Sequence, residues 1–201
     1  MSQPWMQVLS GRPLALLDPL VCEVDFREIA CSLAQINRYT GHAMQPVSVG
    51  FHTLIACDLA PEPLKPWVLL HDGHESRVGD TATPMKEATE AQAERLFGEQ
   101  GVAVIRAVRK ALELAHDTAI HTAAGLALPT EAQRAEIKRI DLRALLTERR
   151  DYLAPAERPW GVESLGLEPN PRKRRWQPAD KVADELFAKF QRYLPALAGS
   201  F

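Results

Sequence analysis

The stretch Trp67-Val68-Leu69-Leu70-His71-Asp72 sets an imidazole and a carboxylate side by side at the end of an apolar run. The apolar part is typical of a helix. His71 offers a neutral nitrogen ligand and Asp72 an anionic oxygen, the two ligand types that borderline divalent cations accept together. A His-Asp pair alone is a weak signal, because it occurs by chance in many proteins. Its weight depends on polar residues elsewhere that occupy positions a helix normally gives to apolar side chains.

Two further residues occupy such positions. His52 lies on the inward face of a predicted helix, among apolar residues at steps of three and four. Asp141 lies in the middle of another apolar helical face, where a carboxylate is costly unless it is paired or binds a metal. Taken singly, His52 could be a core histidine whose hydrogen bonds are all made, and Asp141 could form an ion pair with an arginine. One shared cation explains all three segments, so we predict four metal ligands: His52, His71, Asp72 and Asp141.

This ordered set resembles the signature of the HD-domain metal-dependent phosphohydrolases. The resemblance covers most of the chain and is greatest to the small, single-domain branch that includes bacterial 5′-deoxynucleotidases and phage-type deoxynucleoside triphosphate hydrolases. It implies an all-α fold, a compact helical bundle of the HD-domain type, and one divalent metal ion: Mn, Co, Zn, Mg, Ni or Fe. Beyond the four ligands it rests on Asn37-Arg38-Tyr39, Gly41-His42, Leu70–Glu75, Gly79-Asp80, Thr83–Lys86, Glu136–Asp141 and Leu146–Asp151.

The resemblance also implies two catalytic acids. Glu75 falls three residues after Asp72, one helical turn on, and is the expected partner of the attacking water. Asp80 is the second acid, expected near the leaving oxygen or the sugar. The alternative for both is an ordinary solvated charge, which is what most acids are.

Four residues are expected to contact a nucleotide. Arg38 has a planar fork suited to phosphate, and Tyr39 offers a flat face to a base or sugar. His42 and Lys86 are further candidates for phosphate contacts. Tyr39 departs from the family, which usually has Trp or Phe there. Phe51 departs more sharply, because many relatives carry Glu just before the ligand histidine, and this removes an expected hydrogen bond.

Two other charged features are weighed against simpler explanations. His74 follows His71 by three residues, yet the HExxH arrangement of zinc peptidases is missing, so we expect it beside the metal rather than bound to it. The basic run Arg172-Lys173-Arg174-Arg175 could meet an oligonucleotide, but a solvated loop is favoured because the net charge is −2. We therefore expect no nucleic-acid partner.

Composition favours one cytoplasmic domain over residues 1–201, whose length suffices for a well-buried core. No apolar run is long enough to span a bilayer, and Met1-Ser2-Gln3-Pro4 lacks the charged opening of a signal peptide. The three cysteines are odd in number and without CxxC spacing, so we expect reduced, mostly buried thiols. They are Cys22, Cys31 and Cys57.

Helical periodicity dominates the rest of the chain. We predict helices over 25–35, from Pro84 or Glu87 to Phe97, and over 102–124, with interruptions at Gly98 and Gly101. Thr130 and Gln133 are spaced as a capping box for the helix that carries Asp141 and lasts to about Leu153. Residues 154–178 should form a long loop, and a last helix should start at Pro178 with an inward face. That face comprises Val182, Leu186, Phe190 and Leu194. At most, Leu14 to Val24 could form a short hairpin.

The combined expectation is a metal-dependent phosphohydrolase acting on deoxynucleotides. It would release phosphate from a monophosphate, or triphosphate from a deoxynucleoside triphosphate. Two alternatives stay open: a phosphodiesterase on cyclic or signalling nucleotides, and a non-catalytic metal- or nucleotide-binding regulator. We also expect a homo-oligomer, with Trp160 and Trp176 of the long loop on a contact surface.

Overall fold

The structure, a computed structural model, describes residues 3–198. Met1 and Ser2, which belong to the stretch used against a signal peptide, lie outside the described residues. Helices make up 63% of the structure and strands 4%, so the all-α expectation is confirmed. The helices are α1, Phe26–Gln35; α2, Val49–Leu59; α3, Lys65–Leu70; α4, Glu75–Val78; α5, Thr83–Ala123; α6, Glu131–Tyr152; and α7, Ala179–Tyr193.

Helix α2 is the centre of the bundle. Every residue from Val49 to Cys57 is buried, which is the pattern of a helix surrounded by others. Its neighbours are α1, α3, α6 and α7. Ser48 caps its N-terminus by accepting a hydrogen bond from the Phe51 amide. The predicted helical stripe containing His52 is therefore confirmed, and it lies inside the core.

The outer helices follow the predicted periodicity closely. Asp25 caps α1 by accepting from the amides of Arg27 and Glu28. The capping box of Thr130 and Gln133 is present at the start of α6. Helix α7 starts after Pro178, and all four residues predicted for its inward face are buried. Residues 154–178 form the expected long loop, with a single short turn at Val162–Leu165.

The chain reverses direction within α5, at Gly98. This glycine has φ 69° and ψ −167°, a conformation essentially reserved for glycine. Glu90 forms ion pairs with Arg106 and Arg109, which in one straight helix would be more than 20 Å away. Residues 83–97 and 99–123 are thus the arms of a helical hairpin, and the predicted interruption at Gly98 is confirmed.

The second predicted interruption, at Gly101, is wrong. Gly101 is buried inside the returning arm, where an added Cβ would lie 2.9 Å from the Ala93 carbonyl oxygen and 2.7 Å from the Phe97 Cβ. Its role is to let the two arms approach closely just after the reversal, rather than to end a helix.

The predicted position of the β-hairpin is also wrong. Strands β1, Trp5–Gln7, and β2, Pro13–Ala15, pair antiparallel, with Met6 opposite Leu14. Only the first residues of the predicted segment are therefore in a strand, and Val21–Glu23 is a 3₁₀ turn. The turn lies at Gly11, φ 83°, upstream of the segment we had assigned. Strands of three residues are too short to show the alternation of apolar and polar side chains that predicts a strand.

The loop after α6 is tied back to the bundle by its basic run. Arg174 forms ion pairs with Asp58 and Glu185, and Lys173 lies over the Tyr152 ring. The Trp176 indole donates to the Pro46 carbonyl. The run therefore serves in part as a structural strap, while Arg172 and Arg175 stay exposed.

The expectations on membrane-spanning segments and on the cysteines can be compared with the structure. Among residues 3–198, no helix is both long and apolar enough to cross a membrane. All three cysteines are unpaired, as predicted. The expectation that they are mostly buried fails for Cys22, which is exposed, while Cys31 is half-buried and Cys57 is buried. Cys22 lies in the 3₁₀ turn that we had taken for a strand.

Candidate metal centre

The ligand atoms of three predicted ligands, His52, His71 and Asp72, lie within 4.8 Å of one another, and Asp141 adjoins this group through His52. The two Nε2 atoms of His52 and His71 are 3.3 Å apart, and Asp72 Oδ2 lies 3.1 Å from the His71 Nε2. Asp141 Oδ1 lies 3.1 Å from the His52 Nε2, and Asp72 Oδ2 lies 3.8 Å from it. Two donors bound to one cation at 2.0–2.2 Å would be roughly 3.0–3.6 Å apart. The spacing of His52, His71 and Asp72 therefore fits a shared cation, whereas Asp141 contacts His52 and also accepts a hydrogen bond from Lys138 Nζ at 2.7 Å.

Both imidazoles turn a lone pair towards one point. His71 Nδ1 donates to the Val68 carbonyl at 2.7 Å, and His52 Nδ1 donates to Glu148 Oε1 at 2.7 Å. In the neutral rings these bonds leave each Nε2 without a proton. Two lone pairs 3.3 Å apart repel each other unless a proton or a cation lies between them. Of the two, a divalent cation satisfies both nitrogens and the Asp72 carboxylate at once.

Two helices and one turn bring these residues together. His52 comes from the buried α2, and Asp141 comes from α6, which packs against α2. His71 and Asp72 follow α3 directly, in the turn that leads to α4. His52 is fully buried, while the Asp72 and Asp141 side chains keep 17% and 20% of their exposure. The centre is therefore open to solvent on the carboxylate side.

The carboxylates dominate the electrostatics of the centre. Burial lowers the pKa of His71, but the charge and hydrogen bond of Asp72 outweigh it and raise that pKa to about 9. Burial and Arg38 lower the pKa of His52, yet Glu148 and Asp141 bring a net rise. Burial raises the pKa of Asp72 and Asp141, but the histidines bring a net fall for both. In the metal-free protein, the histidines of the centre therefore bind protons more tightly than ordinary histidines do.

Glu148 is a functional residue that the sequence analysis did not assign. It is fully buried, and its carboxylate accepts from His52 Nδ1, from Arg38 Nε at 3.2 Å and from the Tyr39 hydroxyl. It lies on α6, so the carboxylate that holds His52 comes from a different helix than the imidazole. Glu148 follows Asp141 by seven residues, which is two turns of α6, so both lie on the same face of the helix. This spacing could have identified Glu148 from the sequence.

Glu75 brings a third carboxylate to the centre. It lies at the start of α4, is 7% exposed, and its Oε2 atom is buried without a hydrogen-bond partner among residues 3–198. Burial, then the charges of Asp72 and Asp80, raises the pKa of Glu75 to about 9. A buried, unsatisfied carboxylate beside a candidate metal centre is suited to hold a water molecule or its proton.

Asp80 is half-buried, and no direct contact joins it to the centre among the described residues. Burial raises the pKa of Asp80, and the charges of Arg38, Asp72, Lys86 and His52 also act on that pKa. Lys86 is half-buried on the first turn of α5. His42 is exposed, and its side chain makes no hydrogen bond to residues 3–198.

Arg38 and Tyr39 lie on a left-handed turn beside the centre. Tyr39 and Thr40 have φ of 59° and 52°, a conformation that costs about 1–2 kcal/mol for each non-glycine residue. The turn holds Arg38 Nη1 3.8 Å from Asp72 Oδ2 and stacks Arg38 against the Tyr39 ring. Trp160 lies 6.1 Å from Tyr39 between ring centroids and also contacts Arg149. These contacts within the chain cover part of the Trp160 ring, which the sequence analysis places on the contact surface of an oligomer.

His74 does not join the four ligands. Its Nδ1 lies 3.0 Å from Asp117 Oδ1 on α5, and this bond turns it towards the helical hairpin. Burial lowers the pKa of His74, but Asp117 more than offsets this. The expectation that His74 lies beside a metal without binding it stays a prediction.

Comparison with known proteins gives little further identification. No family model matches the chain. An uncharacterised protein of Rhodobacter capsulatus is 36% identical over 97 residues, which is 44% of this chain and 50% of that protein. The chain thus matches about half the length of this relative, whose name carries no activity.

Proposed function

We propose that the protein is a divalent-metal-dependent phosphohydrolase of the HD-domain type that acts on deoxynucleotides. The observation that carries the proposal is the group of His52, His71 and Asp72, with both Nε2 lone pairs facing one point and Asp141 beside His52. When bound there, a cation would polarise a phosphoryl oxygen and lower the pKa of a water molecule. Mixed imidazole and carboxylate donors suit Mn, Co, Zn, Ni or Fe better than Mg.

The neighbouring side chains supply the other parts that hydrolysis needs. A cation at the centre would lower the pKa of Glu75, and the ionised carboxylate could then accept a proton from the attacking water through its unsatisfied Oε2. Arg38 and Lys86 can neutralise phosphate charge, and Arg38 is already oriented by Glu148. Asp80, a half-buried carboxylate, is assigned in this proposal to the leaving oxygen or a sugar hydroxyl. Tyr39 and Trp160 offer aromatic faces for the nucleoside.

A phosphate-release screen with the metal-loaded protein tests the proposal. Purified protein is loaded in turn with each candidate metal and given deoxynucleoside mono- and triphosphates. We expect release of phosphate or of triphosphate. Hydrolysis of cyclic nucleotides alone would replace the proposal by a phosphodiesterase. Tight metal binding without turnover on any nucleotide would favour a regulator.

Two variants separate binding from chemistry. Arg38→Ala should chiefly weaken substrate binding and raise KM, provided that metal content is unchanged. Tyr39→Ala should alter the preference among bases or sugars more than the rate on the preferred substrate. Glu131→Ala, an exposed substitution in the first turn of α6, serves as the control. Unchanged KM values in Arg38→Ala would remove that residue from phosphate binding.

A further inference from the structure

A second cavity, of about 470 Å³, lies between the β-hairpin and α1. Ser76 and Arg77 of α4 line it, but the four metal ligands do not. Its volume is in the range of small-molecule sites, and its floor includes the buried Leu14 and Ile29. We call it the hairpin cavity.

Arg77 is the unusual residue of the hairpin cavity. It is only 8% exposed, yet among residues 3–198 no carboxylate oxygen lies within 4 Å of its guanidinium. Its one side-chain hydrogen bond to the described residues runs from Nη1 to His116 Nδ1, at 3.4 Å. Arginine is rarely buried unless it is paired with an anion. The remaining donors of the guanidinium are therefore available to a ligand.

His116 holds Arg77 in place without neutralising it. The fully buried His116 donates from Nε2 to the Leu16 carbonyl, 3.1 Å away, so its Nδ1 accepts from Arg77. Burial, then the charge of Arg77, lowers the pKa of His116 and keeps the ring neutral. The guanidinium is thus positioned by a neutral partner, and it forms no direct ion pair with a carboxylate among residues 3–198.

The acids of the cavity limit what kind of anion it can accept. Glu23, Asp25 and Glu28 line it, and the charges of Glu23 and Glu28 raise the pKa of Arg77 against the effect of burial. Glu28 is engaged by the Ser10 amide and by Arg12, whereas Glu23 Oε1 receives no hydrogen bond from residues 3–198. A phosphate dianion would be repelled by these carboxylates. A single carboxylate with a nearby ammonium group would satisfy both Arg77 and Glu23.

We propose that the hairpin cavity binds a free amino acid with an apolar side chain. The carboxylate would pair with Arg77, the ammonium group would face Glu23, and the side chain would lie against Leu14 and Ile29. This site is independent of the metal chemistry proposed above, and binding is measured on the metal-free protein.

Isothermal titration calorimetry with matched probes tests the ligand chemistry. The probes are leucine and phenylalanine, with 4-methylpentanoate and 3-methylbutylamine as leucine analogues that lack the ammonium or the carboxylate. We expect leucine or phenylalanine to bind, and each leucine analogue to bind roughly tenfold more weakly or worse, as for loss of one charged hydrogen bond. Failure of both amino acids to bind at 10 mM would overturn the proposal, as would equal binding of the amine.

Variants of the cavity test its location. Arg77→Gln should abolish amino-acid binding, and Glu23→Gln should erase the preference for leucine over 4-methylpentanoate. Because Arg77→Gln could fail to fold, Gln35→Trp is the second test: Gln35 is exposed, lines the cavity and can be enlarged without disturbing the core. Gln92→Trp, an exposed glutamine on α5 that does not line the cavity, is its control. Unchanged binding in Gln35→Trp would place the ligand elsewhere and overturn the proposal.

Discussion

Glu148 Oε1 lies 2.7 Å from His52 Nδ1, although the two residues belong to helices distant in the sequence. This bond sets the tautomer of His52, because a proton held on Nδ1 leaves Nε2 free to bind a cation. The same carboxylate holds Arg38 and Tyr39. One buried side chain therefore positions a metal ligand and two candidate substrate contacts.

The first prediction concerns this carboxylate. Glu148→Gln should weaken metal binding by about 10–100-fold, since an amide is a poorer acceptor for the His52 N–H. Metal titration with a competing chelator measures the change. Glu136→Gln, on the exposed face of the same helix, is the matched control and should bind metal like the parent. Parent-like affinity in Glu148→Gln would reject the positioning role.

The second prediction concerns Glu75 and pH. Its pKa of about 9 in the fold is above its ordinary 4.5, so between these values the unfolded chain ionises while the folded chain keeps the proton. The free energy of unfolding should fall as pH rises through that window. Glu75→Gln should remove this loss and stabilise the metal-free protein at pH 8 by about 1–3 kcal/mol. At pH 4 it should have little effect.

Urea unfolding at both pH values, with activity assays alongside, checks this prediction. The same Glu75→Gln variant should retain metal but lose most of its turnover, because an amide cannot take a proton. Glu87→Gln, an exposed change on α5, should alter neither quantity. Full activity in Glu75→Gln would remove the residue from the proposed mechanism.

The third prediction links metal affinity to protons. His71 has a pKa of about 9 because of Asp72, so near neutral pH a cation must displace the proton of His71. Affinity should rise with pH up to about 9, by at most tenfold per unit for each displaced proton. Calorimetry in buffers with different ionisation heats counts the protons released.

A histidine outside the ligand set provides the comparison for this measurement. His74→Gln should still release the proton of His71, because His74 is held by Asp117 and not at the shared point. Metal binding that releases no proton between pH 6 and 8 would contradict the assignment of His71 as a ligand. In the metal-free protein, the stability that protonated His71 adds below pH 6.5 should be lost as pH rises towards 9.

The fourth prediction concerns the reversal at Gly98. Any side chain there is strained at φ 69° and ψ −167°, so Gly98→Ala should destabilise the protein by about 1–3 kcal/mol. Chemical denaturation measures the loss. Glu99→Ala, at the next, exposed position, should change stability by less than about 0.5 kcal/mol. Equal stability of both variants would contradict the described reversal.

Helical periodicity singled out the candidate site residues that interrupt an apolar helix face. It missed the residues that do not lie on such a face. His52 and Asp141 stood out because their neighbours on the helix are apolar. Glu148 was missed because its importance comes from partners in other segments. The left-handed turn at Tyr39 and Thr40 was missed because neither residue favours that conformation by itself. Gly98 was predicted as a break, but its dihedral angles, which reverse the chain, are a property of the folded structure.

The separation of the four ligands along the chain has a consequence for how this protein is held together. Its cysteines are unpaired, so no disulfide joins distant segments among the described residues. A cation shared by α2, the turn after α3 and α6 would link three segments in the folded chain and would be released on unfolding, so its binding would stabilise the fold. Chelation would then remove a cross-link as well as a catalyst, and the free energy of unfolding would depend on metal concentration.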